Sequence, residues 1–175
     1  GNVTYHFRFE LATVPNVPPA GLAVELCATL DVDCLSPVPN TPQPDADGNL
    51  FLDLAPSFQG YLKVTADNLV PTEAYLPRLV VIPPKEQVIR VVRRPEFAAL
   101  VSAAGQMEDP TKGIALVLTS NCEDLRTAGV KVSSEDLDMD TVSFYFKGNL
   151  PDINATATAA QGAAGFLHLP LGIIT

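Results

Sequence analysis

Val3-Thr4-Tyr5-His6-Phe7-Arg8-Phe9-Glu10 is the stretch on which the fold turns. Val3, Tyr5, Phe7 and Phe9 alternate with polar residues, so a β-strand would place all four on one face, toward a core. Thr4, His6, Arg8 and Glu10 then share the opposite face. Outward from this strand, a proline-rich turn follows at Val14-Pro15-Asn16-Val17-Pro18-Pro19. The alternation resumes in Gly21-Leu22-Ala23-Val24-Glu25-Leu26, and again where Leu50, Leu52 and Leu54 interleave with Phe51 and Asp53. Gly60-Tyr61-Leu62-Lys63-Val64-Thr65-Ala66 reads as a further strand. Leu76 to Ile82 is an apolar run stopped by Pro83-Pro84.

Past that point the pattern changes. Val88 to Val92 fits a strand or the start of a helix. Pro95-Glu96-Phe97-Ala98-Ala99-Leu100-Val101-Ser102-Ala103-Ala104-Gly105 predicts a short helix, with proline in the first turn and glycine past the end. Its buried stripe would be Phe97, Leu100, Val101 and Ala104. Strands are predicted again at residues 113–119, 129–133, 141–146, 155–158, 165–169 and 172–175.

The composition agrees with an all-β chain. Sixteen prolines, eleven glycines and no tryptophan in 175 residues describe many short strands joined by punctuated loops. The formal charge of −9 excludes a nucleic-acid partner, because a phosphate backbone selects clustered Lys and Arg. Basic residues gather once, at Lys85, Arg90, Arg93 and Arg94, which reads as a solvated face. No stretch is apolar and long enough to be a transmembrane segment. A start at Gly1 and an abrupt end on a strand lead us to expect a protein that continues beyond this chain.

Cys27 and Cys34 lie in Leu26-Cys27-Ala28-Thr29-Leu30-Asp31-Val32-Asp33-Cys34, a spacing that a hairpin-like loop can bridge, and Cys122 stands apart. A Cys27–Cys34 disulfide would fit an oxidising compartment. Spacing alone leaves the alternative, three unpaired thiols, open. Neither a CxxC pair nor a neighbouring histidine suggests zinc.

Two parts of the chain share a plan. Ala20-Gly21-Leu22-Ala23-Val24 matches Ala128-Gly129-Val130-Lys131-Val132. Each is followed by a glycine turn and an apolar strand: Asp47-Gly48-Asn49-Leu50-Phe51-Leu52 in one, Gln161-Gly162-Ala163-Ala164-Gly165-Phe166-Leu167 in the other. Phe58-Gln59-Gly60-Tyr61 and Leu169-Pro170-Leu171-Gly172 close the two units. At these residues the chain resembles the carboxypeptidase regulatory-like domains, a transthyretin-like (prealbumin-like) group of β-sandwiches in bacterial exported proteins. The cysteine loop and the helix depart from that pattern. The resemblance implies two small antiparallel β-sandwich modules, transthyretin-like or Ig-like, at residues 1–84 and 108–175. A linker with a short helix, 85–107, would join them. It also implies an exported, secreted or surface-anchored protein without activity of its own, so no catalytic residue is carried over. In a bacterial source the sequons at Asn2 and Asn154 have no meaning.

Three candidate chemistries stand beside that frame. Asp45-Ala46-Asp47-Gly48-Asn49 places oxygen-bearing side chains at Asp45, Asp47 and Asn49 around a glycine, as calcium prefers. The run lacks the closing glutamate of an EF-hand, Asp53 being the nearest later carboxylate, and a plain turn has the same signature. The run Glu135-Asp136-Leu137-Asp138-Met139-Asp140 reads as a solvated loop. Sugar binding would need an exposed ring: Tyr61, Tyr75 and Tyr145 are candidates, and Phe51 stands out of phase with its strand. For Phe51 a second buried face is the simpler expectation. His6 and His168 lack a neighbouring nucleophile motif, which leaves a hydrolase the weakest reading. The expectation is therefore a non-catalytic extracytoplasmic module with a protein or glycan partner. A carbohydrate- or calcium-dependent binding module is the alternative.

Overall fold

The structure is a computed structural model that describes residues 1–76, 86–123, 125–135 and 137–170. Most of the 76–82 run, its Pro83-Pro84 stop, Lys85, Asp136 and the closing strand at 172–175 lie outside the described residues. The chain forms two compact units, Gly1–Phe97 and Ala98–Thr175. The boundary falls inside the predicted helix, so the expected division into 1–84, 85–107 and 108–175 is shifted.

The first unit contains β1 (Val3–Leu11), β2 (Ala23–Ala28), β3 (Asn49–Leu54), β4 (Gly60–Thr65), β5 (Thr72–Tyr75) and β6 (Gln87–Val91). They form two three-stranded sheets, β3-β1-β6 and β2-β4-β5. Pairing is antiparallel except between β1 and β6, which run parallel from Phe7↔Gln87 to Leu11↔Val91. That pairing settles 88–92 as a strand of the first unit and corrects both its placement in a linker and the all-antiparallel expectation. Tyr5, Phe7, Phe9 and Leu11 of β1 share one core with Leu50, Leu52 and Leu54 of β3 and Val91 of β6. The second sheet adds Val24, Leu26, Leu62 and Val64 to the same core.

The proline-dense stretch after the cysteine loop guards a sheet edge. The Gln43 side chain pairs with both backbone groups of Val24: Oε1 accepts its N–H at 2.9 Å, and Nε2 donates to its carbonyl at 2.9 Å. Val38 N–H donates to the Leu26 carbonyl at 2.8 Å. The free side of β2 is thus occupied by a loop whose prolines cannot extend the ladder.

Helix α1 (Arg94–Ala103) begins where Glu96 reaches back to the N–H of Arg93; of the expected stripe Val101 and Ala104 are buried, and Phe97 and Leu100 are half-buried. Gly105 (φ 70°) ends it: its N–H donates to Ser102 and that of Gln106 to Val101, the paired bonds that close a helix through a left-handed residue. The second unit then forms β7 (Gly113–Leu118), β8 (Val142–Lys147), β9 (Leu150–Asp152) and β10 (Ala163–Leu169). Among the described residues these make one four-stranded sheet, β7-β10-β8-β9, where two facing sheets are expected. The Phe144 ring lies over Gly165, where a Cβ would come within 2.5 Å of it.

The predicted strands at 129–133 and 155–158 do not form. Their backbone groups are taken locally instead: Gly129 N–H donates to the Thr158 carbonyl, Thr158 N–H to the Val130 carbonyl, and Val130 N–H to Thr158 Oγ1. Further along, the Tyr145 hydroxyl accepts the Val132 N–H at 3.1 Å and faces its carbonyl at 3.3 Å.

Candidate functional site

The outer face of the β3-β1-β6 sheet gathers most of the residues that the sequence singles out. His6 pairs with Phe51 in register, and their rings stack at 4.4 Å with 11° between planes. Phe51 is 55% exposed, so the expected second buried face is absent and the ring lies open on the sheet. Asn49 stands beside it. Its amide nitrogen points at both Asp45 carboxylate oxygens, 3.3 Å each, which turns Oδ1 toward His6. That oxygen only accepts, so His6 Nε2, 3.0 Å away, carries the proton and donates.

The network continues along β1. His6 Nδ1 lies 3.9 Å from Glu86, and Arg8 Nε donates to the same carboxylate at 2.9 Å. A second Arg8 nitrogen donates to Asn16 at 2.9 Å. Glu10, 2% exposed, is the one buried carboxylate among the described residues. The Asn16 N–H donates to its Oε2 at 3.0 Å. Arg90 Nη2 stands 2.8 Å from Oε1, close enough to pair the charge although not aligned for a hydrogen bond. A buried carboxylate needs such partners, because an uncompensated charge in the interior is strongly destabilising.

The Asp45 loop is closed by its own backbone. Asp45 Oδ1 accepts the N–H of Asp47 at 3.0 Å and of Asn49 at 2.8 Å, and Gly48 turns the chain at φ 80°. A Cβ at Gly48 would stand 2.6 Å from the Phe9 carbonyl. Two of the three predicted ligands are thus engaged, the Asp45 oxygens with N–H groups and that of Asn49 with His6, while Asp47 gives its backbone N–H to the turn. Among the described residues no group of three or more His, Cys, Asp or Glu side chains stands close enough to hold a metal ion. The Asn49 N–H is the main cause that draws the Asp45 carboxyl below its ordinary value of 3.8, with the Asn49 side chain and Asp47 N–H adding to it. A lowered pKa stabilises the fold above the ordinary value, and that contribution is lost as pH falls through the folded value. Asp45→Ala is therefore expected to lower the melting temperature at neutral pH, with the difference fading as pH drops below 3.8. Wild-type curves in calcium and in chelator are expected to superpose. A calcium-dependent rise abolished by Asp47→Ala would contradict this.

A different arrangement occupies the outer side of β2-β4-β5. Cys27 and Cys34 form a disulfide with Cα atoms 5.5 Å apart, and Cys122 is free and exposed. The loop between them folds over Tyr61, whose hydroxyl donates to the Asp31 carbonyl at 2.6 Å. Cys27, Cys34 and Tyr61 form a small core of their own. Burial, chiefly, pushes the Tyr61 phenol up, and Glu73 and Asp31 push in the same direction. The Asp31 carboxylate accepts the N–H groups of Leu35 and Ser36 at 2.8 Å each. Tyr75 lies across the ladder from Tyr61, their rings 5.2 Å apart. Of the three candidate tyrosines, Tyr61 and Tyr145 are buried and Tyr75 is exposed.

The remaining candidates sit in the second unit. His168 Nε2 donates to the Met107 carbonyl at 2.8 Å from a bulge in β10, its φ at 59°. In the acidic run, Lys112 Nζ donates to Asp138 at 2.7 Å and draws its carboxyl down to about 2, with Thr141 contributing a further hydrogen bond. No protein-family model, curated protein or solved structure matches the chain.

Proposed function

We propose that this chain is a non-catalytic, extracytoplasmic structural and interaction module whose first unit is a small transthyretin-like β-sandwich. The observation that carries this reading is the Cys27–Cys34 disulfide, which closes its loop over Tyr61 and builds a core of its own. Such a bond persists in oxidising compartments, and small exported domains use it to supplement a limited core. Two three-stranded sheets sharing one core support the sandwich.

Both histidines support a non-catalytic role. His6 is held between Asn49 and Glu86, and His168 is tied to a backbone carbonyl. General-base work needs a nitrogen facing a hydroxyl, thiol or water to be activated. The outer face around Phe51 suits a partner instead: an exposed ring fixed in place by a polar network loses little freedom on contact. Among the described residues no helix is long and apolar enough to cross a membrane.

Thiol titration in denaturant without reductant, on chain exported from a cell, tests the reading. One reactive thiol, Cys122, is expected. Three reactive thiols in exported protein would overturn it.

A further inference from the structure

Tyr75 sits on β5 with 60% of its surface exposed. Its position is fixed from behind by Tyr61, which is fully buried under the disulfide loop. The Tyr75 hydroxyl stands 3.4 Å from Glu73 at the rim of the ring. Beside the ring lies an open groove of about 430 Å³ lined by Thr29, Gln59, Gly60, Tyr75 and Leu76. Gly60 admits no side chain, because a Cβ would lie 2.2 Å from the Cys27 carbonyl. Among the described residues neither the Thr29 hydroxyl nor the Gln59 carboxamide has a hydrogen-bond partner.

An exposed aromatic plane flanked by an unengaged amide, a hydroxyl and a carboxylate matches one ligand chemistry. A pyranose ring lays its C–H face on the aromatic plane and directs its hydroxyls to polar groups at the edge. Charge narrows the class further. Glu25, Lys63 and Glu73 share one row of this sheet, Lys63 is also bonded to the Asp33 carbonyl, and the chain carries a net charge of −9. That surface repels uronic, sialic and sulfated sugars.

We propose that the groove is a glycan-binding subsite in which one pyranose ring of a neutral oligosaccharide stacks on Tyr75. Gln59, Thr29 and Glu73 take its hydroxyl groups. The inference rests on the reading of the chain as a non-catalytic binding module and gives that module a ligand class.

The test is binding of the full chain to immobilised neutral gluco-, manno-, galacto- and N-acetylglucosamine oligosaccharides, with sialylated ones alongside. At least one neutral series is expected to bind. Tyr75→Ala should weaken that binding at least about tenfold, equivalent to about 1.4 kcal/mol, while Tyr75→Phe keeps the platform and most of the affinity. Met139→Ala, at an exposed site of the second unit, should leave it unchanged. Tyr75 is exposed, so its variants are expected to melt close to wild type, which separates lost contact from lost fold. No neutral glycan bound, binding of sialylated glycans alone, or binding indifferent to Tyr75→Ala would each overturn the subsite. Release of new reducing ends from a bound glycan would overturn the non-catalytic reading itself.

Discussion

Phe7→Ala is expected to lower the melting temperature of the first unit by about 15 °C or more. Phe7 is fully buried at the middle of β1, the central strand of its sheet, with Tyr5 beside it at 6.4 Å. Removing a ring from such a site costs about 3–5 kcal/mol, the lost transfer energy plus a cavity that rigid neighbours cannot close. Domains of this size are stable by only about 5–15 kcal/mol, and each kcal/mol moves the melting temperature by about 4–8 °C. Phe7→Leu should lose much less, since most of the volume stays. The neighbouring His6→Ala, on the outer face, removes one hydrogen bond and a stacked ring and should cost about 1 kcal/mol. Chemical denaturation of the three variants checks the order. Equal losses for Phe7→Ala and His6→Ala would mean that the strand does not present its faces as described.

Gly60→Ala is the second change with a large expected effect, although it adds only one methyl group. The new Cβ would lie 2.2 Å from the Cys27 carbonyl and 2.6 Å from the Phe58 ring. The carbonyl cannot move alone, since Cys27 is bound to Cys34 and its strand is paired with β4 from Ala23↔Thr65 to Ala28↔Gly60. Relief therefore requires opening the end of the ladder, at about 3 kcal/mol, the upper part of the usual range for overpacking. Ala55→Gly, in the preceding turn, makes the opposite change at an exposed site and should cost less than about 1 kcal/mol. Melting of both variants, with far-ultraviolet dichroism to confirm the fold, checks the contrast. A Gly60→Ala protein as stable as wild type would contradict the packing at this corner.

Both effects sit where the sequence was legible. Along the first four strands the residues that face the shared core recur with period two, so Tyr5, Phe7, Leu52 and Val64 are read directly, whereas the burial of Cys27 and Tyr61 on the opposite face is not. The short strands Thr72–Tyr75 and Leu150–Asp152 present no such stripe and were not predicted. Gly129-Val130-Lys131-Val132 carries the pattern of a strand, but the side chains of Thr158 and Tyr145 supply its backbone partners.

The candidate surfaces were legible only in part. The close spacing of Cys27 and Cys34 permits a loop closure, but nothing in it says that the loop would cover Tyr61. Phe51 announced itself by falling out of phase. Whether such a ring is buried or open depends on what lies above the sheet, which no local pattern records. The charged partners Glu86 of Arg8 and Arg90 of Glu10 come from β6 and the residue before it, 78 positions from Arg8 in the case of Glu86. A parallel pairing at that distance leaves no trace in either segment alone.

The most direct measurement is the thermal unfolding of the purified chain before and after treatment with a reductant that opens the Cys27–Cys34 bond. Cys122 is already free, so reduction changes one covalent feature of the molecule. Closing a loop of this length stabilises by about 2.5 kcal/mol through the unfolded chain alone, and the small core around Tyr61 adds to that. The reduced protein is expected to melt about 10 °C or more below the oxidised one, with one reactive thiol before treatment and three after. Superimposable curves with three reactive thiols from the start would contradict an oxidised, extracytoplasmic module.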